Sequence, residues 1–272
     1  MCITINNLPI GVFDSGVGGL TAVKQLRLLV PNENIVYFGD TARVPYGTRN
    51  SETIIKYAKD DINVLLAKGV KIIVAACGTV SSTLPQTEIE KLPIPYLGVV
   101  ESTAHAAVNA TKNGKIGIIG TDATIKSNSY KNIINALQPE YETFCVACPL
   151  FVPLVENGFI EKDNSVTLMV AHNYLDEIKR KGVDTLILGC THYPIISEII
   201  KAVMGDSVTL IDPGHEIAKE VLTTLRQNDL CTESTRTGSA QYFVSDSVDG
   251  FTALAKIFLD DYVDGSVAQV KI

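Results

Sequence analysis

Short apolar runs bounded by turn residues alternate with longer amphipathic stretches along most of this chain. The runs at 10–13, 35–38, 71–75 and 96–100 predict strands, because so few consecutive apolar residues between Gly, Pro, Asn or Asp signals suit a strand buried on both faces. Helical periodicity occupies 20–29, 51–68 and 79–91. The alternation then repeats, with strands at 115–119, 142–146, 185–188 and 208–211 and helices at 125–137, 165–181 and 195–203. After the Asp212-Pro213 breaker come a helix at 214–227, a strand at 241–245 and a helix at 251–259. Strand–helix alternation predicts parallel sheets flanked by helices, an α/β fold.

The pattern contains an internal repeat. Gly69-Val70-Lys71-Ile72-Ile73-Val74-Ala75-Ala76-Cys77 matches Gly182-Val183-Asp184-Thr185-Leu186-Ile187-Leu188-Gly189-Cys190, with the cysteine eight residues after the glycine in both. Upstream, Ile10-Gly11-Val12-Phe13-Asp14-Ser15 resembles Ile116-Gly117-Ile118-Ile119-Gly120-Thr121. Downstream, Leu97 and Leu210 each follow their cysteine by 20 residues. Three segments recurring in one order predict two similar, pseudo-symmetric, doubly wound α/β domains. If the tail returns to the first half, the domains span 1–99 plus 213–272 and 100–212. Ligands of open α/β sheets bind beyond the carboxyl ends of the strands. The repeat therefore predicts one thiol on each side of a shared cleft, as needed to reach both faces of one carbon.

Composition narrows the classes. With 272 residues, 46% hydrophobic and 19% charged, the chain suits a well-packed globule of two modest domains. A net charge of −7 and a pI near 5.2 argue against nucleic acid or an anionic membrane as the main partner. Residues 1–9 lack a basic region followed by an apolar core, and six cysteines in a chain this long suit reduced thiols, so a cytoplasmic location is expected.

Cys77 and Cys190 are the leading chemical candidates, since a thiol is a base readily tuned by its surroundings. His192, two residues past Cys190, is placed to exchange its proton near neutral pH. Asp14 opens Asp14-Ser15-Gly16-Val17-Gly18-Gly19, which has neither dinucleotide-loop nor P-loop spacing. It reads as a helix N-cap, as a carboxylate near Cys77 or a substrate ammonium, or as both. Cys145-x-x-Cys148 lacks a second pair or nearby histidine and reads as structural. No cluster has metal spacing.

Several stretches resemble the glutamate racemase family: Asp14-Ser15-Gly16, Asp40-Thr41-Ala42-Arg43-Val44-Pro45-Tyr46-Gly47, Ala76-Cys77, Pro149 to Glu156, and Leu188-Gly189-Cys190-Thr191-His192-Tyr193-Pro194. The likeness runs from about Ile10 through the C-terminal helix. It implies an amino-acid racemase independent of pyridoxal phosphate and of metal, supplying D-glutamate for peptidoglycan. It further implies that Cys77 takes the α-proton of D-glutamate with help from Asp14. Cys190 takes that of L-glutamate with help from His192 and Glu156. Asp14, Ser15, Pro45, Tyr46, Gly47, Gly78, Thr79, Thr121, Thr124, Thr191 and His192 would contact the substrate. The family is commonly dimeric, so a homodimer is expected. One position departs: the family has Cys-Asn-Thr where this chain has Cys77-Gly78-Thr79. Gly78→Asn is expected to fold and keep activity. Racemisation of aspartate or another amino acid, and ligand binding without turnover, remain open at this point.

Overall fold

The computed structural model describes residues 5–259 and 265–272. Among these residues ten strands form two sheets. They are β1 (Ile10–Asp14), β2 (Ile35–Gly39), β3 (Ile72–Ala75), β4 (Tyr96–Gly98), β5 (Lys115–Gly120), β6 (Glu142–Ala147), β7 (Thr185–Gly189), β8 (Thr209–Ile211), β9 (Ala240–Val244) and β10 (Ser266–Gln269). The first sheet has the order β10-β9-β2-β1-β3-β4 and the second β6-β5-β7-β8. Every pairing is parallel. The core orders β2-β1-β3-β4 and β6-β5-β7-β8 are the same path traced twice. The fold is α/β, with two similar halves.

The repeated glycines have a shared cause. Helix Ser51–Ala67 ends before Gly69 and helix Ser165–Arg180 before Gly182. Both glycines stop their helices in the left-handed region, at φ of 70° and 73°. The chain then enters β3 and β7, whose residues are fully buried as their apolar runs require. The next crossovers also match: β4 leads into helix Val99–Ala110 and β8 into helix Pro213–Gln227, and these two helices pack on each other. One apolar cluster runs from β1 and β3 through helix Pro213–Gln227 to β7. Two smaller clusters cover the outer faces of the two sheets. No helix among the described residues is long and apolar enough to cross a membrane.

Local breaks correct the sequence reading. The helix expected at 79–91 is two short ones, Gly78–Ser81 and Gln86–Ile89, because Pro85, extended at ψ 147°, supplies no N–H to continue the first and disfavours helical backbone in the residue before it. The helix expected at 125–137 is split by Asn128 at φ 56° into Asp122–Ser127 and Ser129–Leu137. The strand expected at 96–100 stops at Gly98, and Val99 already belongs to a helix the periodicity did not reveal. Strand β10, short and largely exposed, was also missed.

Candidate active site

A pocket of about 380 Å³ opens at the carboxyl ends of β1, β3, β5 and β7. Cys77 and Cys190 both line it, one from each sheet. Each sits where its strand gives way to a turn, so the repeat in sequence becomes two thiols on one cavity.

Cys77 caps the short helix Gly78–Ser81. Its Sγ donates to Ser15 Oγ at 3.6 Å. Burial pushes the thiol up to about 12, and the Asp14 charge adds to that, against hydrogen bonds from Val80 and Ser15. Asp14, 1% exposed, lies at the end of β1. Its Oδ2 accepts the Gly16 N–H at 3.0 Å, while Oδ1 is buried with no hydrogen-bond partner. Burial raises the carboxyl above its ordinary range. The His192 charge opposes this first, then the Gly16 and Gly19 amides and the Cys77 thiol.

The Cys190 side is built differently. His192 Nδ1 lies 3.9 Å from Cys190 Sγ, and Nε2 lies 2.9 Å from Glu156 Oε1. Phe258 stands edge-on to the imidazole at 5.2 Å between centroids. Burial pulls the imidazole down, yet hydrogen bonds to Cys190 and Glu156, with their charges, outweigh it and leave His192 at about 10. At neutral pH it is an imidazolium held by Glu156. Glu156 ends helix Phe151–Glu156, with its carboxylate part-exposed.

Hydroxyls bridge the two walls. Thr79 Oγ1 and Thr121 Oγ1 are 2.9 Å apart, and Thr121 Oγ1 and Thr124 Oγ1 3.0 Å. Thr121 also caps helix Asp122–Ser127, accepting the Thr124 N–H. On the first wall, the Pro45-Tyr46-Gly47 turn is tethered from behind. The Tyr46 hydroxyl bonds to Asp40 and, at 3.1 Å, to Asp61, and Arg43 ties both carboxylates to Asp60. Burial first, then the Asp40 charge, raises Asp61 well above the carboxylate range.

Of the expected residues, Ser15, Pro45, Tyr46, Gly47, Cys77, Gly78, Thr79, Thr121, Glu156, Cys190, Thr191 and His192 share the pocket wall. Asp14 and Thr124 do not reach it: Asp14 stands beside Cys77 and Thr124 beside Thr121. Tyr46 presents little more than its backbone, since its ring is buried and its hydroxyl points to the Asp40–Asp61 cluster. That cluster, and the apolar wall of Val44, Val152 and Pro153, were not singled out from the sequence. The Asp40-to-Gly47 and Pro149-to-Glu156 stretches were the available signals. Cys145 and Cys148 are both free, and Cys148 is a core residue.

The expectation for Gly78→Asn needs correction. A Cβ on Gly78 would lie 2.6 Å from the backbone oxygen of Gly189, at the end of β7 in the other sheet. Glycine here lets the two walls touch, and a carbonyl fixed in a sheet cannot swing away as a side chain does.

Known proteins resemble this chain in sequence and in fold. A sequence model described as Asp/Glu/hydantoin racemase matches residues 21–221. The glutamate racemase of Geobacter metallireducens is 43% identical over 242 residues, 89% of each chain. That of Chlorobaculum tepidum is 45% identical over 250 residues, 92% of this chain and 91% of the other. The crystal structure of glutamate racemase from Francisella tularensis in complex with D-glutamate covers 98% of both chains, at a TM-score of 0.90 and 37% identity. Matches of this extent, over a fold with a thiol at each equivalent strand end, place the chain in the Asp/Glu/hydantoin racemase family.

Proposed function

We propose that this protein interconverts L- and D-glutamate by proton transfer at the α-carbon, with Cys77 and Cys190 on opposite faces. The single observation that carries this reading is the pair of thiols at equivalent strand ends of one pocket. Names and structures of extensively similar relatives supply the substrate: they are glutamate racemases, one solved with D-glutamate.

The geometry suggests how each direction runs. With L-glutamate bound, Cys190 removes the α-proton beside the His192–Glu156 pair. Cys77, held as a neutral thiol by burial, delivers its proton to the other face. With D-glutamate the roles reverse, and Asp14 assists Cys77. The thiols supply both acid and base, so no step calls on a metal or pyridoxal phosphate. Ser15, the Pro45-Tyr46-Gly47 turn, Gly78, Thr79, Thr121 and Thr191 hold the substrate's charged ends, and Thr124 orients Thr121. The apolar wall excludes water, which strengthens electrostatic interactions inside the pocket. The assigned setting is a cytoplasmic homodimer supplying D-glutamate for peptidoglycan. The assigned domains span 1–99 plus 213–272 and 100–212; residues 1–4 and 260–264 of these spans lie outside the described residues.

The test is exchange in deuterium oxide with L- and D-glutamate and L- and D-aspartate, each followed by NMR and chiral chromatography. Deuterium entering the α-position of glutamate, with inversion from either enantiomer, is expected. Turnover confined to aspartate, or exchange with neither, overturns the assignment.

A further inference from the structure

The second half's histidine is held in place by the first half. His192 follows β7, but one side of its ring rests on the turn between β1 and helix Leu20–Leu29. A Cβ built on Gly18 would lie 2.6 Å from both Cε1 and Nδ1 of His192 and 2.2 Å from Thr191 Oγ1. Gly18 is not among the positive-φ residues, so its backbone does not demand glycine; the space does. The first turn of the helix that follows grips the peptide: the Thr21 hydroxyl shares its one proton between the Gly18 carbonyl at 2.9 Å and the Thr191 carbonyl at 3.2 Å. Phe258 packs against another side of the imidazole.

We propose that Gly18 is a positioning residue for His192, its missing side chain being the space that lets the imidazole edge lie beside Cys190. Of the two ring atoms that border that space, Nδ1 is also the one 3.9 Å from the Cys190 sulfur, and Thr191 Oγ1 closes the space from the backbone side. A methyl group there must drive the ring away from the thiol or the turn away from the ring. Glu156 anchors Nε2 but leaves the ring free to pivot about that bond, so the Gly18 face selects which pivot is occupied. Thr21 fixes the height of the Thr191–His192 peptide above the turn. The base assembly of one half is thus complete only when the other half abuts it.

The kinetic part of the test rests on the racemase reading, and the spectroscopic part does not. In Gly18→Ala, the His192 titration followed by NMR, assigned with His192→Asn, should fall from about 10 toward the ordinary 6.5. An unmoved titration overturns the proposal. If the wild type turns over no glutamate, the functional assignment fails and this titration still decides the role of Gly18. With turnover present, kcat/KM should fall by ~10²-fold, the scale for misplacing a catalytic group by an ångström, with KM little changed. Introduced into His192→Ala, the same substitution should cost far less. A full additive loss in that background, as a merely structural residue would give, overturns the proposal. Should Gly18→Ala not fold, Thr21→Val, which keeps side-chain shape and removes the hydroxyl, carries the test. It should shift the imidazole titration in the same direction, and no shift rejects the turn as its support.

Discussion

The two thiols occupy equivalent places in equivalent sheets, yet their surroundings differ in kind. Cys77 faces a serine hydroxyl and a nearby carboxylate with one oxygen unbonded, and burial holds it as a thiol. Cys190 faces an imidazolium pinned by a glutamate. The repeated strand order supplies the geometry, and the residues beyond the strand ends supply the electrostatics. Burial keeps a proton at Cys77, and a cation stands beside Cys190. The sides are not isolated either, since the His192 charge is the main influence opposing the rise at Asp14.

Removing either thiol breaks the comparison most severely. Cys77→Ala and Cys190→Ala should each lower kcat/KM by about 10²–10⁴-fold, the usual contribution of a general acid–base group. Circular dichroism and thermal unfolding should stay near wild type, because each loss is one small side chain at a cavity wall. Near-wild-type turnover in either variant would show that the two faces are not served by the two thiols.

Smaller and more discriminating are His192→Asn and Asp14→Asn. Free D- and L-glutamate have equal energy in water, so kcat/KM must remain equal in both directions for any variant. What shifts is the step that limits the rate. The α-deuterium isotope effect should grow with L-glutamate for His192→Asn and with D-glutamate for Asp14→Asn. Identical responses would show that neither residue is dedicated to one thiol.

Much of this site was legible in the sequence because it sits where periodicity ends. Cys77 and Cys190 each stand eight residues after a glycine and close a short apolar run bounded by turn residues, the pattern of a buried strand. The breaks at Pro85 and Asn128 were not anticipated because neighbouring apolar positions kept a helical spacing across them. The tether of Tyr46 to Asp40 and Asp61 was not visible either. A hydroxyl meeting carboxylates from a loop and a helix is a tertiary contact with no local signature. Gly18 and Gly78 were legible as residues but not as contacts, since what demands each glycine comes from the other half of the chain.

Gly78 sharpens the comparison at the seam between the halves. Gly78→Ala should destabilise by about 1–3 kcal/mol, the usual cost of overpacking, because the added carbon meets the Gly189 carbonyl. Gly78→Asn should cost at least as much and raise KM by parting the walls. Urea unfolding and steady-state kinetics check both. An asparagine variant as stable as wild type, with a lower KM, would show that the seam yields freely.

The smallest expected effect is a pH dependence of stability that belongs to one side only. His192 has a folded value of about 10 against an ordinary 6.5, so between those limits the folded state binds more protons than the unfolded chain. A raised value of this kind stabilises fully below 6.5, and the contribution is lost as pH rises through about 10. The slope for one proton is at most about 1.4 kcal/mol per pH unit. Cys77 adds a loss of the same sign only above its ordinary 9, since burial carries it from there to about 12. Between pH 7 and 9 the part of the fall that belongs to the Cys190 side is the part that depends on His192. Urea unfolding of wild type and His192→Asn across that range measures it. The wild type should lose stability steadily, and the variant should be flatter. Parallel curves would mean that His192 is not protonated in the folded state and that the contrast between the two thiols has been drawn too sharply.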